Sequence, residues 1–243
     1  MLKVVEAFSG IGAQKQALEK LNIEHEIINT IEWDINAIYA YDIMHHNDNS
    51  PSKLSKHEII ERLANVTLSP DGKKPFSDNG LYRIKEEKLQ KLYAAIRRNN
   101  NLCDITQVSG DMIPDDTDLL TYSFPCQDLS IGSVWYNKDN DGIRKGAKTR
   151  SGLLWEIERI LRERIMINVP LPKFLLMENV NAITSPKHNP NFVQWQEELE
   201  SMGYTNKVYK GLNALDFGVP QSRSRTFMLS IRNKAVSYTH LRA

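Results

Sequence analysis

The chain has 243 residues, of which 41% are hydrophobic and 25% charged, and its 31 basic and 30 acidic side chains give a formal net charge of +1. This composition is typical of a globular protein and allows one large α/β domain, or one domain with a partial second. No apolar run approaches the ~20 residues of a membrane span, and the start is too quickly polar for a signal peptide, so we expect a cytoplasmic protein that makes no membrane contact.

The charge balance and the two cysteines further limit the classes of protein to which this chain can belong. A net charge near zero argues against a uniformly basic nucleic-acid-binding surface. A local basic excess occurs between Lys138 and Arg150, where a solvated loop and a phosphate-binding segment are equally good interpretations. Cys103 and Cys126 provide no disulfide framework and no four-ligand metal site, so we predict no bound metal.

The first elements follow the order strand, glycine turn, helix. A strand is predicted over Lys3 to Phe8, the turn is Ser9-Gly10-Ile11-Gly12-Ala13, and a helix follows over Gln14 to Leu21. Glycines let the backbone approach a ligand closely, and a helix start presents free N–H groups. A dinucleotide-binding loop would have a third glycine where Lys15 stands, which disfavours an NAD-dependent oxidoreductase.

The second predicted strand, Glu26 to Glu32, ends in an acid that is followed by Trp33. An acid at this position suits the hydroxyls of a ribose, and the tryptophan offers an aromatic face to an adenine. The alternative is a capping acid beside a core tryptophan. A helix is predicted from Asn36 to about Tyr41.

Residues 45–101 have the character of an insertion at the rim of a sheet. Helices are predicted over Lys56 to Asn65 and over Lys85 to Arg98, with exposed loops between them. The histidines of this region lack a cysteine or carboxylate partner at ligand spacing, so we interpret them as solvated loop residues.

The middle of the chain contains a short predicted strand and a long loop. The strand covers Asp104 to Val108 and is followed by Asp111, which either accepts a hydrogen bond from an adenine amino group or is a simple turn residue. The stretch Asp128 to Arg150 has no periodicity, and a loop of that length is typical of a lid or a disordered segment.

Two apolar strands end in residues with reactive side chains. The first, Asp118 to Phe124, stops at Pro125, which cannot donate to a sheet and presents Cys126 in the following turn. The second, Lys173 to Met177, ends at Glu178. Ligands of open α/β sheets bind beyond the carboxyl ends of the strands, so this carboxyl group and the thiol would share a crevice. Cys126 is there either a nucleophile or, like most lone cysteines, a small buried hydrophobe.

The remaining elements alternate between helix and strand. Helices are predicted over Gly152 to Arg164 and Phe192 to Met202, and strands over Tyr204 to Lys210 and Thr226 to Ile231. Before the last strand, Arg223 and Arg225 occupy alternate positions of an extended segment and therefore point the same way, toward a polar ligand or into solvent.

Six short motifs, in this order along the chain, resemble those of the cytosine-C5 DNA methyltransferases. They are Phe8-Ser9-Gly10-Ile11-Gly12, Glu32-Trp33, Gly110-Asp111, Pro125-Cys126-Gln127, Glu178-Asn179-Val180 and Gln221-Ser222-Arg223-Ser224-Arg225. The resemblance implies an α/β, Rossmann-like fold that uses S-adenosylmethionine. Its sheet would have seven mostly parallel strands with helices on both faces, and the last strand would be antiparallel.

The resemblance also implies the roles of individual residues. The catalytic group would be the nucleophile Cys126 together with Glu178, Arg223 and Arg225. S-adenosylmethionine would be bound by Phe8, Ser9, Gly10, Gly12, Glu32, Trp33, Asp111, Met112, Pro125 and Leu153. The flipped cytosine and its double-stranded DNA would be contacted by Gln127, Ser130, Asn179 and Gln221.

The match covers the catalytic half of such an enzyme and none of its recognition region. We therefore expect a truncated catalytic domain over residues 1–236 and a tail over residues 237–243 that is either native or non-native. The chain alone is either active or an inactive fragment. The family implies a restriction-modification or phage modification system and no obligate protein partner. Alternatives are a tRNA-methylating relative, which would transfer methyl groups to tRNA, and a binding module without turnover.

Overall fold

The structure is a computed structural model that describes residues 1–47, 49–129, 142–146 and 149–233. Ser130, most of the stretch from Asp128 to Arg150 and the tail over residues 237–243 lie outside these ranges. The chain divides into two compact units, Met1–Val108 and Ser109–Ala243.

The first unit opens with the predicted order of strand, glycine turn, helix and strand. Its elements are β1 (Leu2–Ala7), α1 (Ala13–Lys20), β2 (His25–Ile31), α2 (Ile35–His46), α3 (Lys56–Arg62) and α4 (Glu86–Arg98). β1 and β2 are parallel, in a register from Leu2 opposite His25 to Ala7 opposite Ile31. Parallel strands place their carboxyl ends at one edge, so the glycine turn after β1 and the acid after β2 lie side by side.

Helices α2, α3 and α4 share one hydrophobic core, which includes the insertion at residues 45–101. α4 buries Leu89, Leu92 and Ile96, which recur at helical spacing on one face. The reciprocal hydrogen bonds of Ser55 and Glu58 form a capping box that starts α3. The two predicted helices are therefore confirmed, and they share their core with α2.

Two local predictions in the first unit are wrong. Asp104 to Val108 is no strand, because the Asp104 carboxylate accepts hydrogen bonds from the N–H and hydroxyl of Thr106 and closes a 3-10 turn over Ile105–Gln107. Such a local side-chain bond competes with a sheet ladder. His45, His46 and His57 are not loop residues, since the first two form the last turn of α2 and His57 lies in α3.

The second unit has a mixed sheet with the strand order β3-β4-β6-β5. Its elements are β3 (Leu119–Tyr122), α5 (Leu154–Met166), β4 (Phe174–Val180), α6 (Asn189–Ser201), β5 (Tyr204–Asn213) and β6 (Ser224–Arg232). β3 and β4 are parallel, whereas β6 is antiparallel to both of its neighbours, as predicted for the last strand. The described residues thus form six strands rather than seven, since the segment at Asp104 is a 3-10 turn.

An aromatic cluster fixes β3 against the helices of the second unit. The Trp195 indole N–H donates to the Tyr122 hydroxyl at 3.1 Å, and Trp155 meets Trp195 edge to face with ring centroids 5.7 Å apart. Buried aromatic pairs of this geometry add stability beyond their buried area. Within the described ranges, the structure contains no helix long and apolar enough to cross a membrane.

Candidate active site

The turn after β1 contains two glycines that the structure uses differently. Gly10 has φ +53° and Gly12 has φ +82°, a region that favours glycine. A Cβ atom on Gly10 would meet nothing within 4 Å, whereas one on Gly12 would lie 2.2 Å from His45 Nε2 and 2.7 Å from Tyr41 Cε2. The backbone at Gly10 therefore presents an open face, and Gly12 is needed for close packing against α2.

The predicted ribose acid, Glu32, is held against this turn. Its Oε2 accepts a hydrogen bond from the Gly10 N–H at 3.0 Å, and its Oε1 accepts one from the Asp34 N–H at 2.8 Å. Burial raises the pKa of Glu32, and the same two N–H groups oppose that rise. Each carboxylate oxygen has a second lone pair for a further donor. The structure thus brings together two of the predicted cofactor residues.

Sequence reasoning missed two residues that support this part of the site. Asn101 fixes the backbone of Glu32, accepting from its N–H at 3.0 Å and donating to its carbonyl at 2.9 Å. Glu6 lies fully buried below the turn and accepts from the Tyr41 hydroxyl at 2.6 Å and from the Lys15 N–H at 2.8 Å. The signal for Glu6 was an acid inside an otherwise apolar strand.

In the second unit, α5 holds the loop that carries Asp111. Asp111 and Met112 are exposed in a 3-10 turn, and the Ser109 hydroxyl lowers the pKa of Asp111 by donating to its carboxylate. The Gly110 N–H donates to Glu163 at 2.8 Å, and Arg164 donates to the Gly110 carbonyl at 2.7 Å. Glu163 and Arg164 had no predicted role, and nothing in a helical sequence indicates such tertiary partners.

Cys126 follows β3 in a turn, as predicted. Its side chain is partly exposed and forms no disulfide. The Leu129 N–H donates to the Cys126 carbonyl at 3.0 Å, which closes the turn. Asn179 of β4 donates to the Phe124 carbonyl at 3.1 Å and ties the segment before the cysteine to the neighbouring strand.

Glu178 and Arg225 form an ion pair, with 3.0 Å between Oε1 and Nε. Glu178 lies opposite Phe227 in the ladder between β4 and β6, so Arg225 is its diagonal neighbour on the same face. The two side chains are 24% and 21% exposed, respectively, which leaves the pair accessible. Because β3 and β4 are parallel, Glu178 and Cys126 both lie toward the carboxyl ends of their strands. Arg225 lies at the start of β6, and β6 is antiparallel to β4, so Arg225 lies at the same edge of the sheet.

The other predicted residues are less closely assembled. Asn179 is buried and alternates with Glu178 along β4, so it points to the opposite face. Its carboxamide also accepts from the Val180 N–H at 2.8 Å. Three of the predicted residues have exposed side chains, namely Gln127, Gln221 and Arg223. Four others are half-buried, namely Phe8, Trp33, Pro125 and Leu153. Ser9 is buried.

Comparison with known proteins places this site in a family. Residues 81–242 match the model of the C-5 cytosine-specific DNA methylases. The chain is 43% identical over 242 residues to the orphan methyltransferase M.SssI of Spiroplasma monobiae, covering 97% of the chain and 60% of that protein. It is 37% identical to the type II methyltransferase M2.ScrFI of Lactococcus lactis subsp. cremoris, of which it spans 63%.

Solved structures show the same fold at low sequence identity. The S. pombe Dnmt2 methyltransferase matches with a TM-score of 0.57 and 21% identity, over 98% of this chain and 53% of that one. A putative DNA modification methyltransferase encoded within an E. coli prophage matches with a TM-score of 0.53 and 16% identity, over 98% and 49% of the two chains. The predicted α/β methyltransferase fold is confirmed, and the chain belongs to the C-5 cytosine-specific DNA methylase family.

Proposed function

We propose that this chain carries the catalytic part of a DNA (cytosine-5-)-methyltransferase that uses S-adenosylmethionine. The observation that supports this most directly is the accessible pair of Glu178 and Arg225 at the same edge of the sheet as the turn of Cys126. A thiol, a carboxyl group and a guanidinium are the groups that attack on a cytosine ring requires. The chain spans about 60% of the length of the curated relatives it matches, so the activity belongs to the proposal.

The residues of the first unit fit the proposed cofactor. The open face at Gly10 allows a ligand to lie against the backbone, and Glu32 is fixed by the N–H groups of Gly10 and Asp34. Glu32 would hold the ribose hydroxyls, Trp33 would stack on the adenine and Asp111 would accept from its amino group. S-adenosylmethionine supplies, when bound, an electrophilic methyl group on a sulfonium.

The chemistry explains why the second unit needs its three groups. Carbon 5 of cytosine is a poor nucleophile, so the Cys126 thiolate first adds to carbon 6 and forms a sulfur–carbon bond. Glu178 stabilises the charge that develops at N3 and the exocyclic amine, and Arg225, supported by Arg223, contacts O2. Carbon 5 then reacts as an enamine. After carbon 5 has received the methyl group, a base removes the carbon 5 proton. The electron pair of that C–H bond re-forms the 5,6 double bond, the sulfur–carbon bond breaks and the thiolate leaves.

A duplex hides carbon 6 within its base stack, so the cytosine must be flipped out at a cost of about a few kcal/mol. Gln127, Ser130 and Gln221 are the proposed DNA contacts, and buried Asn179 acts through the turn it holds. The match to the C-5 cytosine-specific DNA methylases supports DNA as the substrate, and the similarity to a type II methyltransferase supports a modification system as the setting.

The first test measures transfer of labelled methyl groups from S-adenosylmethionine to duplex DNA. We expect Cys126→Ser to abolish transfer, because a hydroxyl does not ionise at neutral pH. Cys103→Ala is the matched control, since Cys103 is 2% exposed in the core of the first unit, and it should keep the wild-type rate per folded molecule.

A near-normal rate of Cys126→Ser would remove this residue from the mechanism. Transfer to tRNA but not to DNA would select an RNA substrate. Failure to form a covalent adduct with a 5-fluorocytosine duplex would indicate a binding module, and binding of NAD without S-adenosylmethionine would restore the oxidoreductase.

A further inference from the structure

Two buried polar residues beside the Cys126 turn have no role in the proposed chemistry. Ser151 is 0% exposed and Asp128 is 7% exposed. Ser151 begins the 3-10 turn Ser151–Leu153, which runs directly into α5. A buried carboxylate is costly unless it is hydrogen-bonded, so its partners define what it does.

Ser151 contacts the turn on both sides of the cysteine. Its hydroxyl donates to the Pro125 carbonyl at 2.7 Å and accepts from the Asp128 N–H at 3.3 Å. Its own N–H donates to Asp128 Oδ2 at 3.0 Å. One serine therefore binds the residue before Cys126 and the residue two positions after it.

The remaining contacts of this segment complete the support. The Leu129 N–H closes the turn onto the Cys126 carbonyl, and Asn179 holds the Phe124 carbonyl. The backbone is thus held from Phe124 to Leu129, by the 3-10 turn before α5 on one side and by β4 on the other, while the thiol stays partly exposed. Asp128 also caps one of the free N–H groups at the start of the helix.

We propose that Ser151 and Asp128 are positioning residues that fix the Cys126 turn in the geometry for attack on the base. The inference rests on the proposed function, because attack needs a thiol placed within a fraction of an ångström. Loss of such placement costs up to about 100-fold in rate. A capping role alone would affect stability and leave the reactivity of Cys126 unchanged.

The test compares Ser151→Ala with Tyr204→Phe in the full chain. Each substitution removes one buried hydroxyl that donates to a proline carbonyl at 2.7 Å. The Ser151 hydroxyl donates to Pro125, and the Tyr204 hydroxyl donates to Pro172. Tyr204 lies at the start of β5, and Pro172 precedes β4, at the opposite end of the strand from Glu178. Tyr204→Phe is therefore matched in chemistry and remote from the cysteine.

The first readout is the rate of covalent trapping by a 5-fluorocytosine duplex at saturating DNA and S-adenosylmethionine. We expect Ser151→Ala to be slower by about 10-fold or more per folded molecule, and Tyr204→Phe to equal the wild type. Equal rates for the two variants would overturn the proposal.

The second readout is the rate at which iodoacetamide alkylates Cys126, measured by mass spectrometry without DNA or cofactor. Ser151→Ala should depart from the wild-type rate and Tyr204→Phe should not. If the wild type traps no duplex while this difference persists, the proposed function fails and the positioning role stands. If Ser151→Ala and Tyr204→Phe have the same rates of both trapping and alkylation, the positioning role fails.

A second pair of variants covers the case in which Ser151→Ala does not fold. Asp128→Asn keeps an acceptor oxygen for the Ser151 N–H, and Asp128→Ala removes it. We expect Asp128→Asn to recover most of the trapping rate that Asp128→Ala loses. Identical rates for both Asp128 variants would count against the proposal.

Discussion

Gly10 and Gly12 stand two positions apart in one turn, and their surroundings give them different functions. Gly10 has empty space where a side chain would start, whereas Gly12 faces the rings of His45 and Tyr41. The spacing of the glycines alone suggested that both admit a ligand. Packing against α2 by itself requires a glycine at position 12, and the contact of Gly12 with the cofactor stays a prediction.

Alanine at these two positions should separate backbone strain from steric overlap. Gly10→Ala adds only the strain of a left-handed φ, about 1–2 kcal/mol. Gly12→Ala adds the same strain plus a clash with α2, typically another ~1–3 kcal/mol. We expect the larger loss of unfolding free energy for Gly12→Ala in urea titrations. Equal losses of unfolding free energy for the two variants would show that α2 shifts to accommodate the added methyl group at no free-energy cost.

Glu6 gives a prediction about pH. Burial raises the pKa of Glu6 above its usual value of 4.5, although the Tyr41 hydroxyl and the Lys15 N–H oppose the rise. The folded state then holds this proton more tightly than the unfolded state. The stability linked to Glu6 is therefore complete below pH 4.5 and is lost as the pH rises through the folded-state pKa.

The measurement compares wild type with Glu6→Gln, which does not titrate. We expect the wild-type unfolding free energy minus that of the variant to decrease as the pH is raised from acid to neutral. Urea titrations over a pH series give this difference, and a rise with pH would contradict the assignment.

At the scale of elements, α5 supports two functional segments of the second unit. The 3-10 turn that runs into α5 contacts the Cys126 turn through Ser151, and the end of α5 contacts the Asp111 loop through Glu163 and Arg164. The Asp111 loop approaches the end of α5 so closely that it requires Gly110, because a Cβ atom there would lie 2.8 Å from the backbone nitrogen of Arg164. One helix thus links the nucleophile turn to the predicted adenine loop.

Arg164 and Arg162 on this helix should differ sharply when replaced by methionine. Arg164 is fully buried and donates to the carbonyls of Gly110, Ile113 and Pro170. Arg164→Met leaves these acceptors unpaired, and we expect a loss of about 3 kcal/mol. Arg162 is 40% exposed, so Arg162→Met should cost under about 1 kcal/mol. Thermal unfolding checks the order, and a reversed order would contradict the role of Arg164.

At the scale of the whole molecule, each compact unit carries one of the chain's two cysteines. Burial raises the pKa of Cys103 to about 12, and its side chain is 2% exposed. Cys126 is partly exposed. Accessibility therefore distinguishes a core thiol from a candidate nucleophile within one chain.

This difference predicts a single alkylation of the native protein. Iodoacetamide at pH 8 should modify Cys126 alone, whereas both cysteines react in urea, because a thiol needs access and ionisation to react. Intact mass followed by peptide mapping measures the sites. Rapid modification of Cys103 in the native chain would contradict the structure of the first unit.

Local signals in the amino-acid sequence are sufficient to predict the strongly periodic elements and the order of the motifs. Periodicity predicted β1, α4 and α6, and Pro125 correctly ended the strand before Cys126, because these signals act within a few neighbouring residues. The strand predicted at Asp104 failed because a side-chain bond to Thr106, which period-two alternation does not reveal, closes a turn there.

Which polar groups meet depends on how the helices and strands pack together. The pairing of Glu178 with Arg225 depends on the register between β4 and β6. The supports from Arg164 and from Ser151 join residues 54 and 26 positions apart, respectively. Such contacts follow from how elements pack, and no local pattern encodes them. The sequence thus named the reactive groups, and folding determined what holds each of them in place.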